Sequence, residues 1–332
     1  MHQLRPPASD PPLAAHWWTA ALPRRTRLWL SLALGCVAAV LVWAQDVDAK
    51  AVGDWDQCWI AGRALLQGES PYAAVNAESS PWPLIYPLPA VLVSLPFTPF
   101  PLPVARAVFS GVTSALLAYG LSTRWLGLLP FASGAYFWAL MGVQWVPLLV
   151  AAVLLPWLSA LLVVKPTTGL VLWAGWPSRI AVIGGIVLVA VSFVVDPDWV
   201  GKWRMSVGAN IVYHVSPVMR PFGWLMLLAL LRWRRPEGRF LTAFALIPQA
   251  AMPYDALPLL LIPRTFLERV IFVAGTQLLA LVGMAKLGAG SPSAFADSLW
   301  PATLLLAYLP ALIMVLRIRN ASGEPVPAQT AQ

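Results

Sequence analysis

Charged side chains are scarce in this sequence. Only 11% of its 332 residues are Asp, Glu, Lys or Arg, whereas a typical soluble domain carries about a quarter. This scarcity excludes an ordinary soluble globular domain. Cysteine is also scarce. The chain has only two, Cys36 inside an apolar run and Cys58 beyond it. Without a Cys-x-x-Cys motif or a Cys/His cluster, the sequence predicts neither a disulfide nor a metal site.

Several common catalytic motifs are missing as well. The chain contains no GxxxxGK, no GxGxxG after a strand, no HExxH and no GxSxG, so a soluble nucleotide-binding or hydrolase site is not expected. The net charge of +8 is not arranged as a basic stripe with interleaved aromatic residues, which argues against a nucleic-acid partner. No cofactor is expected.

What the sequence does contain is long apolar blocks. Hydrophobic residues make up 59% of the chain, and blocks of about 20 residues match the hydrocarbon core of a bilayer. Inside lipid such blocks form helices, because the backbone must satisfy its own hydrogen bonds. The sequence therefore predicts an all-α, polytopic transmembrane bundle: a single domain over residues 28–319 with about nine to eleven membrane segments. Prolines between 126 and 176 predict short, broken helices there.

The distribution of Lys and Arg predicts the orientation of this bundle. Basic residues at 24–27, at 232–239 and at 317–319 lie beside apolar blocks, which is typical of cytoplasmic loops. Both predicted tails, residues 1–27 and 320–332, are then cytoplasmic, and loops near 45–82 and 196–220 face outward from a plasma or inner membrane. The N-terminal stretch also resembles a signal peptide; an uncleaved anchor is the favoured interpretation.

Acidic residues cluster just beyond the first apolar block, at Asp46, Asp48, Asp54 and Asp56. Ionisable groups at a membrane edge are costly and are candidates for function. Asp54 can act as a general base that activates a sugar hydroxyl, or it can cap an interfacial helix that ends at Gly68; the two roles are compatible. For Asp56, capping or solvation competes with a sugar contact.

Other polar residues interrupt the apolar segments. Lys165 can bind a lipid-linked phosphate, or its ammonium can extend to the membrane interface. Gln144 can bond across helices or contact a sugar. His214 and Arg220 can bind phosphate oxygens or belong to a solvated loop. Asp255 can contact a sugar or cation, or it can stabilise the turn after Pro253.

The order of these motifs resembles a known family. Gly53-Asp54-Trp55, the segment 61–72 and Tyr86-Pro87-Leu88-Pro89 are similar to the first outward loop and the start of the second span in polyprenol-phosphate-dependent GT-C glycosyltransferases of family 87. Leu88 stands where that family has a second proline. The segments 142–144, 163–166 and 252–255 resemble later steps of the same pattern.

The resemblance implies an inverting, metal-independent transfer of a sugar, with mannose favoured, from a polyprenyl-phosphate donor to a lipid or glycan acceptor on the outer face. It implies that Asp54 is the general base. It implies that Lys165 contacts the donor phosphate; His214 and Arg220, on the second outward loop, are further candidate phosphate contacts from the residues themselves. Sugar or acceptor contacts would be Asp56, Tyr72, Tyr86, Gln144, Tyr254 and Asp255. The alternatives are a non-catalytic protein that binds or transports membrane lipids, and an inactive relative that serves as a membrane scaffold.

Overall fold

The fold is helical throughout the part of the chain that the structure describes. A computed structural model describes residues 20–46, 53–77, 83–210, 214–288 and 291–318, and within these ranges it contains no β-strand, only the isolated bridges Ala21–Arg124 and Val215–Gln249. The prediction of an all-α chain is confirmed. The predicted tails, apart from residues 20–27, and Asp48 lie outside the described residues.

The α-helices follow one another in short steps. They are α1 (Arg24–Asp46), α2 (Asp56–Leu66), α3 (Pro71–Ala77), α4 (Leu88–Ser94), α5 (Leu102–Leu121), α6 (Gly134–Met141), α7 (Val146–Leu154), α8 (Pro166–Gly175), α9 (Arg179–Val195), α10 (Trp199–Asn210), α11 (Pro236–Leu246), α12 (Phe266–Ala285), α13 (Pro292–Thr303) and α14 (Leu309–Arg317). The longer 3-10 segments are Trp125–Ala132, Pro156–Val164, Gly223–Arg232 and Pro253–Leu261. A π-helical turn, Leu304–Tyr308, joins α13 to α14.

Four helices are long and apolar enough to cross a bilayer: Arg24–Gln45, Leu102–Leu121, Phe266–Ala285 and Ser293–Arg317. A bent pair, α9 and α10, also passes this test if the two helices are taken as one span. The coarse prediction of a multi-pass helical architecture agrees with these elements. The larger predicted number of membrane segments depends on shorter apolar helices and stays a prediction.

The first two long helices pack as an antiparallel hairpin. A Cβ atom at Gly35 of α1 would lie 2.7 Å from the carbonyl oxygen of Gly111 in α5, so the glycines allow the two backbones to approach closely. At one end of this hairpin, the Arg27 guanidinium donates a 2.6 Å hydrogen bond to the Tyr119 carbonyl. The start of α1 therefore lies beside the end of α5.

Arginine side chains bind carbonyls at helix ends throughout this part of the molecule. Arg239 donates to the Ala174 and Gly175 carbonyls, at 3.1 and 3.0 Å, where α8 ends. Arg232 donates to Leu316 near the end of α14, at 2.9 Å. Positive charge at a helix C-terminus complements the helix dipole.

The opposite end of the hairpin carries the acidic segment. Helix α1 is 23 residues long, which corresponds to about 34 Å, and Asp54 follows its C-terminal end. The Asp56 carboxylate pairs with Arg106 in the first turns of α5. Arg106 and Tyr119 lie about 20 Å apart along α5, so Asp56 and the Arg27 contact are at different ends of the molecule.

The segment 196–220 is not simply a polar loop as predicted. Helix α10 occupies Trp199–Asn210 and makes an angle of 100° with α9. The Lys202 ammonium stabilises the bend through bonds of 2.7 and 2.8 Å to the Asp196 carboxylate. Trp203 Nε1 donates to the Ile85 carbonyl at 2.9 Å, so α10 packs on the segment that leads to Tyr86.

Candidate functional site

Asp54 lies in a turn that precedes α2. Helix α2 begins at Asp56, and its N-cap residue is Trp55, which makes no side-chain cap hydrogen bond. The prediction that Asp54 caps this helix is therefore wrong, whereas the predicted stop at Gly68 agrees with the left-handed φ of +77° at that residue. The Asp54 backbone N–H donates to the Gly142 carbonyl at 2.8 Å, which fixes the turn against the end of α6.

The Asp54 carboxylate is partly exposed and surrounded by polar groups. Its side chain is 21% exposed. The Tyr86 hydroxyl donates to Oδ2, and Gln57 Nε2 lies 3.4 Å from Oδ1. Burial, with Asp54 as the next cause, raises the pKa of Tyr86 well above its ordinary value, so this hydroxyl remains a hydrogen-bond donor. The carboxylate is oriented by its neighbours and still has access to a ligand.

Tyr72 stabilises the position of Tyr86. Its hydroxyl donates to the Tyr86 carbonyl at 3.2 Å, and both residues are buried. Burial also raises the pKa of Tyr72. Tyr72 thus holds the backbone of Tyr86 and not the Asp54 carboxylate.

Lys165 brings a positive charge to the same place. Its ammonium lies 3.8 Å from Asp54 Oδ2 and donates to Gln144 Oε1 at 3.3 Å. The Tyr86 and Tyr254 ring centroids lie 5.8 and 5.3 Å from Nζ, within the range of a cation–π interaction. The side chain is only 11% exposed, so it faces the interior of the helical bundle.

His214 and Asp255 lie in the electrostatic surroundings of this pair. Burial is the main cause that lowers the pKa of His214 to about 4, with repulsion from Lys165 second and opposed by Asp54; the imidazole is therefore neutral near pH 7. Burial also raises the pKa of Asp255 to about 6, although Lys165 and the Met252 N–H lower it. Asp255 Oδ2 accepts the Met252 N–H at 3.3 Å, at the start of the 3-10 segment Pro253–Leu261.

Asp56 has a structural role in the observed arrangement. Arg106 Nε donates to Oδ1 at 2.8 Å, Arg106 Nη2 donates to Oδ2 at 2.5 Å, and the Gly53 N–H donates to Oδ2 at 2.6 Å. Both side chains are buried. A fork-like pair of this kind fixes α2 to α5, and both carboxylate oxygens accept hydrogen bonds from Arg106 or Gly53. A sugar contact by Asp56 stays a prediction.

Arg220 also differs from its predicted position. Its guanidinium pairs with Asp297 at 2.7 Å and lies 5.5 Å from the Trp300 ring centroid. No contact with Asp54 or Lys165 is seen among the described residues.

Some members of the site were missed by sequence reasoning. Gln57 lies three residues after Asp54, and that spacing alone could have suggested a contact on one helical turn. Arg106 is an ionisable residue inside an apolar block, and such residues are candidates for a functional role. Within the described ranges, no group of three His, Cys, Asp or Glu side chains is close enough to hold a metal ion.

This geometry suits proton transfer next to an anionic group. A partly exposed carboxylate can accept a proton, while an adjacent ammonium can stabilise negative charge that develops nearby. No protein-family model, curated protein or solved structure matches the chain.

Proposed function

We propose that this protein is an integral membrane glycosyltransferase that uses a polyprenyl-phosphate sugar as donor. One observation supports this most strongly. The segments that carry the family resemblance are far apart in sequence, yet they meet around Lys165: Asp54 lies 3.8 Å away, Gln144 3.3 Å away and the Tyr254 ring centroid 5.3 Å away. Separate structural roles would not require these segments to converge on one partly exposed carboxylate.

The proposed reaction is a direct displacement at the anomeric carbon. The acceptor hydroxyl gives its proton to Asp54 while its oxygen forms a bond to that carbon. The bond from the carbon to the phosphate oxygen breaks, its electron pair stays on the phosphate, and polyprenyl phosphate leaves with inversion. Tyr86 and Gln57 hold the base, and Lys165 stabilises the negative charge on the leaving phosphate.

A lipid-linked donor is consistent with the composition of the site. The phosphate would approach Lys165, whose existing partners are a carboxylate, an amide oxygen and two tyrosine rings. The half-buried ring of Tyr254 offers an apolar face to a sugar, whereas Tyr86 and Asp255 are buried and contact the sugar in this proposal only if it enters the interior. We propose His214, neutral near pH 7, as a hydrogen-bonding contact to sugar or phosphate. The resemblance favours mannose.

The proposed active site faces the exterior of a plasma or inner membrane. Arg27 binds the end of α5 that lies away from Asp54, and Arg232 and Arg239 are further basic residues that bind helix ends. Since basic ends of membrane helices stay in the cytoplasm, the Asp54 end would face outward and both termini would be cytoplasmic. The acceptor, a lipid or a glycan, would then be glycosylated outside the cell membrane.

The test begins with the lipids that purify with the protein. Mass spectrometry of extracted lipids should find a polyprenyl-phosphate species, and proteoliposomes supplied with radiolabelled polyprenyl-phosphate sugars should transfer the label to an acceptor with inverted anomeric configuration. A bound lipid that crosses the bilayer without sugar transfer would support the transport alternative. If neither lipid nor transfer is found with any donor in the series, the proposal is wrong.

A further inference from the structure

A buried guanidinium lies apart from the Asp54 site. The Arg220 side chain is 6% exposed, and Nη1 donates to Asp297 Oδ1 at 2.7 Å. Among the residues that the structure describes, Nε and Nη2 have no hydrogen-bond acceptor. Leaving charged donors buried without partners is costly. These two nitrogens form the edge of the guanidinium that binds carboxylate or phosphate in a bidentate manner.

An unpartnered hydroxyl lies in the same surroundings. The Arg220 guanidinium is 5.5 Å from the Trp300 ring centroid, and Trp300 Nε1 is fixed by a 2.9 Å bond to the Pro221 carbonyl. The Tyr308 ring packs edge-on against Trp300 at 5.6 Å. Tyr308 is fully buried, and its hydroxyl has no hydrogen-bond partner in the described part of the chain.

The backbone around Tyr308 is unusual in a way that points to a function. Tyr308 ends the π-helical turn Leu304–Tyr308 inside an otherwise α-helical segment. Such turns are rare and are found frequently at functional sites. Tyr308 lies beside Trp300 and within electrostatic range of both Asp255 and Arg220.

The surface next to Arg220 in the chain is apolar. Met219 is 78% exposed, Phe222 65% and Trp224 56%. A free inorganic anion gains nothing from such residues, whereas the hydrocarbon chains of a lipid can cover them.

We propose that Arg220 and Tyr308 bind the phosphate group of a membrane lipid, whose hydrocarbon chains lie on Met219, Phe222 and Trp224. The phosphate oxygens accept from Nε and Nη2 of Arg220 and from the Tyr308 hydroxyl. Asp297, which is 71% exposed, is the counter-ion of Arg220 in this structure. The phosphate must compete with it for the guanidinium. This second lipid site does not depend on the reaction proposed for Asp54.

The test measures binding of a soluble short-chain phosphatidic acid to the full-length protein in an uncharged detergent, by isothermal titration calorimetry. Arg220→Gln should weaken binding about tenfold or more, because a charge-assisted, bidentate contact is lost. Arg63→Gln is the matched control, since Arg63 also stacks on a tryptophan, Trp59 at 4.9 Å, but is exposed; it should leave binding unchanged. Asp297→Asn should tighten binding by roughly two- to fivefold, because it removes a competing anion.

Inorganic phosphate, titrated alone, distinguishes a lipid from a free anion. We expect it to bind much more weakly than the lipid. Binding of the lipid by Arg220→Gln as tightly as by the wild type would overturn the site, and equal affinity for inorganic phosphate would overturn the assignment to a lipid. Should Arg220→Gln fail to fold, weaker binding by Asp297→Asn would refute the proposal by itself.

Discussion

At the scale of single residues, the half-buried His214 and the buried Asp255 have pKa values that are shifted in opposite directions. The folded-state pKa of His214 is about 4, below its ordinary 6.5, so His214 stabilises the fold fully above pH 6.5, and this contribution is lost as the pH falls toward 4. The pKa of Asp255 is about 6, above its ordinary 3.8. Its contribution is present below pH 3.8 and is lost as the pH rises through 6.

These opposing effects predict a nearly flat stability between pH 4 and 6 in the wild type. His214→Gln should leave the Asp255 effect alone, so that the melting temperature falls as the pH rises over this interval. Asp255→Asn should produce the reverse slope. Melting temperatures of the purified protein, followed by intrinsic tryptophan fluorescence in detergent, measure both slopes. Parallel pH profiles for the two variants would refute this account of the site's electrostatics.

The sequence was most informative about individual site residues. Asp54, Gln144 and Lys165 were found because a polar group in an apolar segment is costly and because their order resembles a family pattern. Arg220 was a candidate phosphate contact because it lies on the second predicted outward loop, and the structure puts it beside Asp297 and Trp300. Polarity marks a residue as unusual, but only the packing of helices determines which unusual residues meet.

At the scale of elements, the Asp56–Arg106 pair connects α2 to α5. Asp56→Asn should destabilise the fold by about 3–5 kcal/mol, because a buried arginine then loses its counter-charge. Asp196→Asn makes the same chemical change at a pair whose Lys202 side chain is 34% exposed, and it should cost at most about 1 kcal/mol.

Thermal unfolding in detergent, with the variants measured side by side, separates these two values. A loss of stability that is equal in the two variants would show that the Asp56 pair contributes no more than the partly exposed Asp196–Lys202 pair. The measurement needs no substrate, so it tests the fold independently of the proposed reaction.

Hydropathy predicts some helices of this protein well and others poorly. Hydropathy identifies long helices such as α5 and α12, because each presents an apolar surface along its whole length. It does not identify α10, whose mixed composition resembles that of a loop although Trp203 and the bend at Asp196 fix it as a helix. The capping role expected of Asp54 failed because the helix begins at Asp56 instead, a difference that propensities do not resolve.

At the scale of the whole molecule, the Arg27 contact and the Asp54 site lie at opposite ends of the α1–α5 hairpin. A cysteine introduced at Glu69, which is exposed, should react with a membrane-impermeant maleimide in intact cells. A cysteine at Arg234, also exposed, should react only after the membrane is permeabilised. The background carries Cys36→Ser, and Cys58 is buried. Labelling of Arg234→Cys in intact cells would reverse the proposed orientation.

The overall class of the molecule could be predicted from composition, because apolar blocks of membrane length leave few architectures. The convergence of segments 53–57, 86–87, 142–144, 163–166 and 252–255 could not, since short helices and 3-10 turns between 125 and 176 can pack in many ways. Their order along the chain suggested a common site, and their meeting at Lys165 is a property of the three-dimensional packing alone.

The central claim is that the Asp54 carboxylate acts as the base in sugar transfer. Its most direct test compares Asp54→Asn with Asp196→Asn in proteoliposomes, once a transferred donor is known. Asparagine retains the hydrogen-bonding oxygen for Tyr86 but cannot take a proton at neutral pH, so turnover should fall by about 10²- to 10⁴-fold while donor binding persists and the control stays active. Turnover by Asp54→Asn at the rate of the wild type would contradict the account.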